Sequence, residues 1–97
     1  MLPMKNPAHP GELVRDNLDE LGVSISDAAK GLGVTRQQLD KIIAGRSSIT
    51  PEIAVRLEQA IGGTADGWMR MQINFDLAHV REHESSIKVK RFAPNVA

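Results

Sequence analysis

The sequence has no cysteine and no tyrosine. The first absence removes disulfides, thiolate metal sites and cysteine nucleophiles together, and it fits a reducing compartment. The remaining aromatics are Trp68, Phe75 and Phe92. A core must therefore be built from Leu, Ile, Val, Ala and Met, which suits small packed helices better than a ring-walled ligand pocket. No apolar run approaches the ~20 residues needed to span a bilayer, so no membrane partner is expected. The opening segment MLPMKNPAHPGE lacks the apolar stretch of a signal peptide. A cytoplasmic location is the expectation. Net charge is missing too: 12 Lys and Arg balance 12 Asp and Glu.

That balance hides a segregation. Residues 1–22 carry Lys5 and Arg15 against Glu12, Asp16, Asp19 and Glu20. Residues 30–46 carry Lys30, Arg36, Lys41 and Arg46 against Asp40 alone. From Thr50 onward the signs cancel. A local basic stretch matters more to a phosphate backbone than the mean, because screening confines the interaction to ~8–10 Å. A chain of 97 residues with 41% apolar composition has one domain's worth of core.

The chain divides at its prolines and glycines. Residues 1–8 have no periodicity and read as a flexible N-terminal arm. His9-Pro10-Gly11-Glu12 opens a first helix, with proline where its missing N–H has no partner anyway and a carboxylate in the first turn. Leu13, Val14, Leu18 and Leu21 form its stripe, and Gly22 ends it. Ser24 or Ser26 caps a second, short helix whose inner face is Ala28, Ala29 and Leu32. Gly33 stops it. Thr35 caps a third helix over 36–44, carrying Leu39, Ile42 and Ile43 and closed by Gly45. Residues 46–49 form a loop. Thr50-Pro51-Glu52 opens a fourth helix with the stripe Ile53, Ala54, Leu57 and Ile61. Thr64 caps a fifth that reaches Glu82 or beyond. After Ser86 the period changes to two, which predicts a short C-terminal strand or an ordered tail over 85–97.

Two short helices across a tight glycine turn make a helix-turn-helix, spanning Ser26 to Gly45. Its geometry makes four demands, and each is met. Gly33 can take positive φ in the turn. Ala29, four residues earlier, is small enough for the helices to cross closely. Leu39, Ile42 and Ile43 bury one face of the third helix, and Val34 plugs the corner. An ordinary helical bundle has no need of this register.

The reading face follows from ~100° per residue. Gln37, Lys41 and Ala44 lie opposite Leu39, Ile42 and Ile43, with Gln38 and Asp40 on the flanks. The N-terminal part of a recognition helix enters the major groove, so Gln37 and Gln38 are the candidate base readers, through bidentate pairing with adenine. Arg36 suits either guanine or phosphate, and Lys41 suits phosphate. Ser26, Thr35, Arg46 and Ser47 are candidate backbone contacts, which set register without reading sequence.

These segments resemble the HigA family of antitoxins, the virulence-associated protein I type within the lambda-repressor-like class. The resemblance rests on His9-Pro10-Gly11-Glu12, on Gly33 to Leu39 with Gly45-Arg46, on Ile49 to Leu57, and on Trp68-Met69-Arg70-Met71-Gln72 with Phe75-Asp76-Leu77. It covers about residues 9–80. Methionine stands twice beside Trp68 where the family has leucine, which is a tolerated change in packing. The resemblance implies an all-α, five-helix domain over 9–84 and the antitoxin of a two-gene module. It also implies a HigB-type, RelE-like mRNA endonuclease as partner, a homodimer on a palindromic double-stranded operator, and repression of the protein's own operon. Trp68 and the 86–92 segment are candidate dimer contacts, Trp68 being otherwise a plain core residue.

The rival readings are thinner. His79 and His83 have metal-capable spacing on a helix, but no third ligand accompanies them and the H-E-x-x-H order is not met. No nucleophile stands beside a base, so neither an enzyme nor a cofactor is expected. A stand-alone phage-type repressor would share the same DNA chemistry, and a purely protein-binding helical adaptor would not.

Overall fold

The computed structural model describes residues 7–94. Residues 1–6 of the expected arm and 95–97 of the expected tail lie outside them. Five α-helices follow in order: α1 Pro10–Leu21, α2 Ile25–Leu32, α3 Arg36–Ile43, α4 Pro51–Ala60 and α5 Ala65–Arg81. A single 3₁₀ turn, Glu84–Ser86, follows α5. No strand occurs among the described residues. The period-two stretch after Ser86 is therefore a tail without regular structure, and the strand alternative is corrected. A lone segment has no ladder partner for its backbone, and alternation cannot supply one.

Every helix after α1 begins where a hydroxyl can take an orphan backbone N–H. Ser24, Thr35, Thr50 and Thr64 each accept from the amide three residues on. Ser24, not Ser26, is thus the cap of α2. Both helices of the motif end in the same 6→1, 5→2 pattern of backbone bonds. At α2, Val34 N–H reaches Ala29 O at 3.0 Å and Gly33 N–H reaches Lys30 O at 3.2 Å. At α3, Arg46 N–H reaches Lys41 O at 2.9 Å and Gly45 N–H reaches Ile42 O at 3.1 Å. Gly33 and Gly45 hold the left-handed conformation this requires, at φ +74° and +77°.

One apolar core joins all five helices. Val14, Leu39, Ile49 and Leu57 are its largest fully buried side chains. Ala28, Ala29 and Ala54 let helices approach closely around them. Two residues of the expected α1 stripe face outward, Leu13 at 41% and Leu21 at 58% exposed. Trp68 is core, 4% exposed, with its indole N–H donating to Gly62 O at 3.1 Å. Of its two readings, the packing role holds.

Candidate nucleic-acid interface

The interface is built on α3. Leu39 and Ile42 are buried, and Ile43 is half-buried. That fixes which side turns outward: Gln37, Gln38, Asp40, Lys41 and Ala44 form it, and its four polar residues are exposed. Gln37 and Lys41 lie one turn apart on this outer side, with no hydrogen bond or ion pair found for either side chain among the described residues. Their amide and ammonium groups are free to meet a ligand.

The leading end of α3 is different. Arg36 does not project freely. Its Nη1 donates to Ser26 Oγ at 2.8 Å and its Nε lies 3.9 Å from Asp40 Oδ2. Ser26, on α2, therefore helps to aim the Arg36 guanidinium across the turn. Thr35 uses its hydroxyl oxygen as the α3 cap, accepting from Gln38 N–H at 3.0 Å, which leaves its own proton to donate. At the far end, Arg46 and Ser47 follow the helix terminus, both amides bound to Lys41 O. All eight sequence-predicted residues thus lie on α3, its two ends or the first turn of α2.

Four long-range contacts hold that surface in place. Gly11 in α1 passes so close to the last turn of α3 that a Cβ there would overlap Ile42 O. The His9 ring lies against Gly45 and edge-on to Phe75 of α5, with ring centroids 5.6 Å apart. Arg56 of α4 donates to Leu32 O at 2.8 Å, next to the Gly33 turn, and to Glu52 at 3.2 Å. Gln72 of α5 is 7% exposed, and its Oε1 accepts from Ile49 N–H at 2.8 Å. Its amide nitrogen donates to Asp76 at 3.0 Å. The loop after the recognition helix is thereby tied to α5.

The comparisons with known proteins agree with this geometry. A family model described as helix-turn-helix matches residues 14–68. The chain belongs to the helix-turn-helix family. Within it, the chain is 42% identical over 80 residues to virulence-associated protein A' of Dichelobacter nodosus, covering 81% of this chain and 70% of that one. Antitoxin HigA-1 of Vibrio cholerae is 28% identical over 78 residues, covering 79% of this chain and 73% of that one. Among solved structures, antitoxin GraA in complex with its operator matches with a TM-score of 0.79 and 30% identity, covering 97% of this chain and 98% of that one. The chain thus joins the HigA and virulence-associated protein group of helix-turn-helix proteins.

Some positions of this helix-turn-helix protein escape a local reading. Arg56 and Gln72 sit on α4 and α5, and nothing nearby in sequence marks their partners 24 and 23 residues away. The signal available for Gln72 was a polar residue on the inner face with Trp68 and Phe75. Among the described residues, His79 and His83 are joined by no third candidate ligand. No group of three or more His, Cys, Asp or Glu able to hold an ion occurs among the described residues. The His79 Nδ1 instead pairs with Phe75 O at 3.1 Å.

Proposed function

We propose that this chain is the sequence-specific DNA-binding antitoxin of a two-gene module. It binds a palindromic operator as a homodimer, represses its own operon and neutralises a HigB-type, RelE-like mRNA endonuclease. The observation that carries the DNA half is the α3 surface: Gln37 and Lys41 exposed one turn apart, on a helix packed against α1 and α2, with α4 and α5 tying down the turn before it and the loop after it. A side-chain amide and an ammonium on one groove-facing strip suit base reading and phosphate contact respectively. The operator-bound GraA structure, alike over nearly the whole length of this chain, supports the same role.

The dimer reading has its own support. Met69, Ile73, Leu77 and Val80 of α5 recur at three- and four-residue spacing, and Ile73, Leu77 and Val80 are 49%, 47% and 44% exposed. Val55 of α4 extends the strip at 42%. The C-terminal half of α5 is a ridge. Its N-terminal half forms a groove with Pro51 and Val55. An antiparallel pair of α5 helices seats each ridge in the other's groove and leaves both α3 surfaces free. The toxin half rests on the antitoxin names of the relatives.

A mobility shift with the DNA upstream of the gene tests the first half. A salt-sensitive, sequence-selective shift is expected, and its absence would leave a protein-binding adaptor. Co-expression with the product of the adjacent gene tests the second. Failure to co-purify a ~90–110-residue basic partner would leave a stand-alone repressor.

A further inference from the structure

The tail after α5 is chemically distinctive. Residues 87–92 read Ile-Lys-Val-Lys-Arg-Phe, three cations and no anion. Val89 is 83% and Phe92 95% exposed, and Ile87 is 49% exposed. In extended backbone, Ile87 and Val89 fall on one edge and Lys88 and Lys90 on the other. Large apolar side chains left this open, on a segment with no regular structure, are unusual unless something covers them.

The same protein carries a surface of opposite character. An open cleft of about 520 Å³ lies between α1, the α4–α5 link and the start of α5. Its walls are mainly Leu13, Asn17, Ile61, Gly63, Trp68 and Met71, and none of its lining comes from α2, the turn or α3. Leu13 is one of the two apolar side chains that α1 turns outward. The cleft has no charge of its own, but Asp16 and Glu20 stand exposed within about 60° of Leu13 around the α1 axis. Arg15, the single cation of α1, falls on the far side. The cleft is thus apolar within and acidic along its α1 rim.

We propose that residues 87–92 of one copy seat in this cleft of a second copy. Ile87 and Val89 lie on the apolar floor, and Lys88 and Lys90 face Asp16 and Glu20. This rests on the dimer reading above and adds a clasp to it. The helix lengths favour the second copy. α5 has 17 residues and is ~25 Å long. The cleft lies at its N-terminal end and the tail leaves from its C-terminal end. An antiparallel α5 pair brings each tail beside the partner's cleft, whereas reaching its own cleft needs a full reversal at 82–86. The groove on the other flank of α5 offers no such match, since it holds one charge of each sign, Asp66 and Arg70. The clasp leaves α3 uncovered, so it is compatible with bound DNA. Its consequence is that the acidic helix and the basic tail, which cancel in the net charge, neutralise each other across the dimer.

The absence of cysteine makes the test clean. Asn17→Cys and Val89→Cys are made separately, one chain bearing a size tag, then unfolded and refolded together so that mixed dimers form, and oxidised mildly. The expected product is a disulfide between tagged and untagged chains, in excess of either self-pair. Asp16→Lys with Glu20→Lys should suppress that product about tenfold, and Lys88→Glu with Lys90→Glu on the other chain should restore it. Thermal melts of each variant confirm that it is folded. A chain carrying both cysteines that closes only on itself would place the tail in its own cleft and overturn the proposal. A dimer by sedimentation that gives no cross-link would overturn it while leaving the dimer intact. A monomer would remove both. Protection of the Val89→Cys thiol by operator DNA or by the co-expressed partner, without the cross-link, would assign the tail to that ligand instead.

Discussion

The side-chain amide of Gln72 on α5 accepts the backbone N–H of Ile49 at 2.8 Å inside the core, although the two residues are 23 apart in sequence. Ile49 is 2% exposed and directly precedes the Thr50 cap of α4. This one bond anchors the end of the loop that leaves the recognition helix.

Gln72→Leu should therefore destabilise more than its size suggests. It keeps the volume and removes the acceptor, so a buried N–H loses its partner at a cost of about 1–3 kcal/mol. In a domain this small that is roughly 4–8 °C of melting temperature per kcal/mol. Thermal denaturation by circular dichroism reads it. A melting point unchanged within a degree would mean that water replaces the amide without loss.

This contact also marks the limit of what the sequence discloses. Helix starts were legible because caps are local: a hydroxyl, three residues, an amide. The turn was legible because Gly33 and Ala29 answer steric demands within a few residues. Ile49 read as loop because burial of a single residue between helices has no period. Leu13 and Leu21 fit the α1 stripe, yet the stripe is wider than the surface α1 buries. The outward side of α3 could be derived from Leu39 and Ile42 alone. What aims Arg36, a serine ten residues earlier, depends on how two helices cross.

Gln37 and Lys41 should separate by the kind of binding they support. Gln37→Ala is expected to cost about 1–3 kcal/mol on operator DNA and little on random sequence. Lys41→Ala should weaken both alike and lower the slope of log affinity against log salt by about one. Fluorescence anisotropy at several salt concentrations with both DNAs distinguishes them. Equal losses from Gln37→Ala on the two DNAs would remove it from the base-reading set.

Dimeric binding fixes a distance. Two α3 helices related by a twofold axis must meet half-sites one helical turn apart or a multiple of it, ~34 Å or a multiple. Hydroxyl-radical footprinting should give two protected patches at that spacing. Destroying one half-site should cost the dimer most of its affinity, and equal affinity for the half and the whole operator would contradict the dimer. Leu77→Glu with Val80→Glu in the α5 ridge should give that equality deliberately, each half-site filling independently.

Gly33→Ala tests the turn. The positive φ penalises any Cβ by about 1–2 kcal/mol. There is also a contact, since an added Cβ would stand 2.6 Å from Arg56 Nη1. The guanidinium sits at the end of a flexible side chain and can withdraw, but doing so breaks its bond to Leu32 O. Gly33→Ala and Arg56→Ala should therefore be less than additive, because both lose the same bond. Urea denaturation of the two single variants and the double completes the cycle. Strict additivity would show that Arg56 stays bound beside the added methyl group.

Two other glycines predict opposite signs. Gly31 lies in α2 with ordinary helical φ, is exposed, and an added Cβ would meet nothing within 4 Å. Gly31→Ala should stabilise by about 0.5–1 kcal/mol, since alanine restricts the unfolded chain and favours the helix. Gly11 also has helical φ, but its added Cβ would overlap the Ile42 carbonyl oxygen and press on the His9 ring. The obstacle is backbone, so α1 must shift away from α3. Gly11→Ala should cost about 1–3 kcal/mol as an overpacking change. It should also weaken operator binding beyond its effect on folding, because the last turn of α3 loses its support. Comparing urea midpoints with affinities for folded protein reads both effects. If Gly11→Ala left operator affinity of the folded protein unchanged, the contact between α1 and α3 would serve stability alone.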